Sequence, residues 1–139
     1  MPRRQADARV VLTTHNDAEA ARALARTLVE ERLAACVQVL PPMRSLYRWN
    51  DQLHDDQEVL LVMKTTKQRF AKLKERVVAL HPYDVPELVS LVVDAGLPAY
   101  LDWLAGATRL TATETRATRS SAASPSRRGR ARKPARRDG

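Results

Sequence analysis

Residues 35–66 read ACVQVLPPMRSLYRWNDQLHDDQEVLLVMKTT, two strand-like arms with one short polar break between them. The second arm, Glu58 to Thr65, is rich in Val and Leu. The first arm carries Cys36, Val37, Val39 and Leu40, meets Pro41-Pro42, and resumes with Leu46, Tyr47 and Trp49. Asn50-Asp51 stands between the arms, and both residue types tolerate the positive φ of a tight turn. Proline cannot donate to a ladder, so the first arm must bend, bulge or lie at an edge at Pro41-Pro42. The arms are too long for one small domain to cover. A ribbon that projects beyond its core, with Tyr and Trp near its tip, calls for a partner chain.

The flanking segments supply the core. Arg9 to Thr14 (RVVLTT) is short, β-branched and apolar, as a buried strand is. Asn16 and Glu19 have capping-box spacing at the start of a helix that runs to about Arg32. Ala21, Leu24, Ala25 and Leu28 recur on one side of it. After the ribbon, Thr65 or Thr66 can cap a second helix. Phe70, Leu73, Val77 and Leu80 form its inner stripe, with Lys67, Arg69, Lys72, Lys74 and Glu75 outside, and Pro82 stops it. Leu88 to Asp94 (LVSLVVD) reads as another strand. Pro98 suits the first turn of a short last helix with Tyr100, Leu101 and Leu104 inward and a stop at Gly106. The order predicts an α+β fold, the ferredoxin-like βαββαβ sandwich, with a long β-hairpin and a C-terminal helix.

Composition narrows the function. The 139 residues carry a net charge of +8, yet acids and bases balance through Ala105. The whole excess lies in the segment from Gly106 onward. A nucleic-acid-binding fold carries its basic stripe on the fold itself, so the domain is not read as one. Residues 1–8 are expected to be flexible, 9–107 to form the domain, and 108–139, dominated by Thr, Ala, Ser, Arg and Pro, to be a disordered basic tail. That tail, ending RRGRARKPARRDG, can hold nucleic acid non-specifically through counterion release. A solubilising extension fits its composition equally. One cysteine excludes an internal disulfide and a Cys-rich zinc site. No apolar run approaches the ~20 residues of a membrane span, and MPRRQADAR lacks the apolar segment of a secretory signal. A cytoplasmic protein is expected. There is no nucleophile–base pair and, with 4 Gly, no phosphate cradle, so no enzyme is read here.

The polar residues each have a plain reading beside a functional one. Cys36, among Ala and Val, packs as a small hydrophobe. His15 ends the first strand, where a loop histidine or local cap is ordinary, and strand one can bring it near Cys36. His81-Pro82-Tyr83, followed by Asp84 and Glu87, puts an imidazole, a phenol and two carboxylates on one loop. Hydrogen bonds that fix the turn account for them, and so does the lip of a cation or small-ligand pocket. Tyr47, Trp49, Glu58 and Lys64 lie on opposite arms of the ribbon, where interface packing, or in an oligomer an inter-subunit cleft with a Glu58–Lys64 charge pair, explains them.

VVLTTHND (10–17), LVEERLAACVQVLP (28–41), RSLYRW (44–49), EVLLVMKTT (58–66), FAKLKERVVALHPYDVPEL (70–88) and GLPAYLDWL (96–104) together resemble the CutA family of divalent-cation-tolerance proteins. The resemblance covers most of residues 9–105 in order. It implies a ferredoxin-like subunit and a tight homotrimer whose hairpins add strands to neighbours. It also implies a cytosolic location, a link to metal tolerance, Cu(II) binding and no established reaction. Cys36 matches a family cysteine implicated with copper, so His15, Cys36 and His81 become the metal-ligand candidates, as a weak or shared Cu2+ site. His15 stands where the family commonly has Cys, and Gln38 where it has Asn. Imidazole remains a good copper ligand. The trimeric architecture also resembles that of PII-type signal proteins, which makes a small-ligand signalling or scaffold trimer the alternative.

Overall fold

The computed structural model describes residues 7–110 and Glu114. The chain runs β1 (Ala8–His15), α1 (Ala18–Glu30), β2 (Cys36–Val39), β3 (Met43–Trp49), β4 (Gln52–Thr66), α2 (Lys67–Leu80), β5 (Leu88–Val92) and α3 (Pro98–Ala107). The fold is the expected α+β sandwich. Its sheet has the order β2-β4-β1-β5, with β3 joined to the outer part of β4 and every pairing antiparallel. The expected basic tail lies outside the described residues beyond Leu110, save Glu114. The expected flexible start lies outside them up to Ala6, and Ala8 is already buried in β1.

Period-two patterning makes the sheet two-sided. Val11 on β1 and Val59, Leu61 and Met63 on β4 face α1 and α2, where they join Leu24, Leu28, Leu73 and Val77 in the main core. The opposite face is only partly covered. There α3 lays Leu101 and Leu104 over Ala8 and Ala35 at one end of the sheet. Tyr100, expected inward, is 41% exposed instead. The short α3 has room to bury only one narrow stripe.

Two local readings are corrected. The N-cap of α1 is Asp17, whose Oδ1 accepts from the Ala20 N–H at 3.0 Å, rather than Asn16. β1 runs through His15, which moves the helix start along. Arg69, placed outside by helical periodicity, is only 2% exposed. Its guanidinium donates to the carbonyls of Arg32 and Glu31, both at 3.1 Å, and to Glu114 Oε1 at 3.0 Å. It thus satisfies carbonyls just past the end of α1, which no further helical turn can reach. Glu58 and Lys64, read as a charge pair in an oligomer, do not meet within one subunit. Six residues apart on one strand, they are separated by roughly 20 Å. Lys64 Nζ donates to Gln38 Oε1 instead.

The ribbon follows from its breaks. Asn50 and Asp51 have φ of 51° and 59°, and Trp49 pairs with Gln52. Positive φ at both central residues is the two-residue type I′ turn. At Pro41-Pro42 the register changes. Val39 faces Leu61, and Leu40 N donates to Leu60 O, yet Met43 faces Glu58. The first arm therefore holds one extra residue, a β-bulge. The bulge exchanges the faces of the first arm. Val37 and Val39 face the helices, while Met43, Ser45, Tyr47 and Trp49 turn to the side of Glu58 on β4.

Candidate functional site

β1 stops at His15, opposite Val59, so residues 52–58 of β4 run on with β3 on one edge and no described strand on the other. Beyond the end of β1, the loop after α2 comes alongside this overhang. Between them lies a cleft of about 750 Å³. Its ribbon wall includes Ser45, Tyr47, Trp49, His54, Asp56 and Glu58, and its loop wall Tyr83, Val85, Pro86 and Glu87.

Hydrogen bonds fix both walls. The Tyr47 ring lies flat on His54, with centroids 4.9 Å apart and planes 9° off parallel, as directly opposed cross-strand residues allow. The Tyr47 hydroxyl donates to Asp56 Oδ2. Glu58 is buried and accepts from the Tyr83 hydroxyl at 2.8 Å, which ties the loop to the ribbon. Thr13 Oγ1 donates to the Glu87 carbonyl at 2.6 Å and holds the far end of the loop on β1.

His15 and His81 lie behind the loop wall. Both are buried, and their rings stand 5.0 Å apart. His15 Nδ1 accepts from the Asp17 N–H at 3.0 Å, and His81 Nδ1 accepts from the Tyr83 N–H at 3.1 Å. His81 Nε2 is 2.6 Å from the Thr14 carbonyl, which only accepts, so Nε2 carries the proton and the ring is a neutral brace. Its T-shaped contact with Tyr83, at 4.6 Å, adds to the brace. Burial lowers the pKa of His15 below the usual 6.5, and the neighbouring His81 lowers it further. Asp17 and Glu58 pull the other way.

The three metal-ligand candidates are not brought together within one subunit. His15 and His81 meet, but Cys36 does not join them. β4 lies between β2 and β1, and Cys36 is level with Lys64 and Val10, five residues before His15. That separation is roughly 17 Å along the strands. Cys36 is half-buried on the partly covered face. Together with burial, it pushes the Tyr100 phenol above its usual pKa. Among the described residues, no three His, Cys, Asp or Glu side chains gather as a metal cluster. A metal held by His81 at Nδ1 would have to displace the Tyr83 N–H, and one held at Nε2 the bond to the Thr14 carbonyl.

Of the cleft candidates, Tyr47, Trp49, Glu58, Tyr83 and Glu87 line one cavity, while Asp84 is exposed outside it and Lys64 lies along the sheet. His54 and Asp56 are wall residues that the sequence reading passed over. Their alternation with Glu58, two residues apart on one strand face, was the available signal.

These features define a class, the ferredoxin-like α+β proteins whose central hairpin overhangs the sheet as a ribbon. The model of the CutA1 divalent ion tolerance protein family matches residues 9–107. A divalent-cation tolerance protein CutA of Thermus thermophilus is 57% identical over 95 residues, covering 68% of this chain and 92% of that protein. A chloroplastic protein CutA of Arabidopsis thaliana is 42% identical, over 72% of this chain but 55% of its own length. Among solved structures, the Thermus thermophilus protein superposes with a TM-score of 0.69 at 56% identity, over 70% of this chain and 94% of that one. CutA1 from Oryza sativa does so with 0.74 at 38% identity, over 77% and 98%. The chain belongs to the CutA1 divalent ion tolerance protein family. Among the described residues, no helix is long and apolar enough to cross a membrane.

Proposed function

We propose that the protein works in the cytoplasm as a homotrimer in the cell's tolerance of divalent cations, binding copper at a site shared between subunits. Family membership supports the link to divalent cations. The observation that carries the assembly is the edge of β4 over residues 52–58, which has no described strand beside it. An open strand edge on an overhanging ribbon is a template for another chain. The partly covered sheet face adds to this, with Val89 and Leu91 at 45% and 51% exposure. Apolar surface of this kind marks an interaction site.

Copper favours thiolate and imidazole ligands. Cys36 lies on the same incompletely covered face and is the ligand this reading assigns to each subunit. His15 and His81 brace the loop. One thiol does not make a metal site, so the reading requires donors from more than one chain. Sedimentation combined with calorimetric titration of Cu(II) tests it. A trimer whose copper affinity falls at least tenfold on Cys36→Ala, and little on His15→Gln, is the expected result. A monomeric chain, or copper affinity indifferent to Cys36, overturns it.

A further inference from the structure

The cleft between the ribbon and the 83–87 loop has a one-sided chemistry. Asp56, Glu58 and Glu87 bring three carboxylates to its walls, and among the described residues lining it there is no Lys or Arg. Glu58 is 2% exposed, so one of these carboxylates is desolvated at the base of the cleft, held by Tyr83. The remaining walls are flat π surfaces, the stacked Tyr47–His54 pair and Trp49. The volume of about 750 Å³ is in the range of small-molecule sites. It far exceeds a bare ion, and no metal cluster forms among the described residues.

We propose that this cleft is a binding site for a guanidinium group. Guanidinium is planar and weakly hydrated, stacks on aromatic faces, and pairs with carboxylates through a fork of N–H donors. An ammonium group is compact and strongly hydrated, and gains less from the flat walls. The site needs no bound metal, and its ribbon wall belongs to the same 52–58 stretch of β4 whose open edge carries the assembly described above. Two sources supply the chemistry. One is a free guanidino compound. The other is the chain itself, since Arg116 to Arg137 contains nine Lys or Arg and no acidic residue. Glu114, at the root of that segment, is fixed to Arg69 near the start of α2. From Glu114 to Arg127 the chain spans up to roughly 45 Å. That exceeds the ~21 Å length of α2, beyond whose far end the cleft opens.

The test is calorimetric titration with N-acetyl-arginine amide, in chelator, of two full-length forms. One is the natural chain, and the other has the basic residues of 116–137 replaced by Ser. Saturable binding to the Ser-substituted form is expected. It should be at least tenfold weaker for N-acetyl-lysine amide, absent for N-acetyl-citrulline amide, and at least tenfold weaker in Glu58→Gln or Asp56→Asn. Glu58→Gln keeps an acceptor for Tyr83, and Asp56→Asn serves if that variant misfolds. Weaker binding to the natural chain than to the Ser-substituted form identifies the tail as the occupant. Equal binding identifies a free ligand. No saturable binding to the Ser-substituted form, or binding indifferent to both acidic substitutions, overturns the proposal.

Discussion

At the scale of single residues, Arg69 and His15 show polar groups made necessary by burial. Arg69 sits in the interior because two backbone carbonyls beyond α1 and the Glu114 carboxylate surround its guanidinium. Arg69→Met fills similar volume but leaves those acceptors without their donor. A loss of about 2–4 kcal/mol is expected, read as a lower urea midpoint with an unchanged slope. Arg69→Lys recovers little, because one ammonium cannot present the planar fork that three separated acceptors require. His15 gives a pH dependence with a definite sign. Its folded pKa lies below the unfolded 6.5, mainly through burial and next through His81, against Asp17 and Glu58. The unfolded chain therefore takes up the proton first. Stability is complete above pH 6.5 and falls as pH drops toward the lowered value, by up to about 1.4 kcal/mol per pH unit for this one group. Chemical denaturation between pH 7 and 5 should show the decline, and His15→Gln should flatten it.

At the scale of elements, the ribbon depends on two breaks that are visible in the sequence and on one consequence that is not. The Asn50-Asp51 turn holds both residues at positive φ. Asp51→Val puts a β-branched side chain where only small or Asx residues sit without strain. A loss of about 1–2 kcal/mol is expected in thermal unfolding, whereas Asp51→Gly should be neutral or stabilising. Pro41-Pro42 announces an interruption, but not that it inserts one residue. Only the partner strand settles that count, and it decides that Tyr47 and Trp49 share a face with Glu58. The strands and helices were legible because their apolar periods are local. The position of Arg69 was not, since its burial is caused by carbonyls 37 and 38 residues away in sequence. Likewise His15 and Cys36 read as neighbours until the placement of β4 between their strands separates them.

At the scale of the whole molecule, the sheet is satisfied on one face and incomplete on the other. α1 and α2 bury Val11, Val59, Leu61 and Met63, while α3 covers only the end near Ala8 and Ala35. On that second face Val89 pairs with Leu12, and Leu91 with Val10, so two exposed side chains continue a half-buried apolar surface. Such a face in a chain whose ribbon also overhangs is what a second and third copy would cover. Leu91→Glu tests this without touching the main core or the cleft, because Leu91 is 51% exposed in the subunit. A carboxylate there is harmless in water and costly in a dry interface. The natural chain should sediment at three chain masses, and Leu91→Glu at one, with the far-ultraviolet circular dichroism of the two unchanged. If Leu91→Glu still assembles, the partly covered face is not the interface. The ribbon edge over residues 52–58 would then have to join the copies alone.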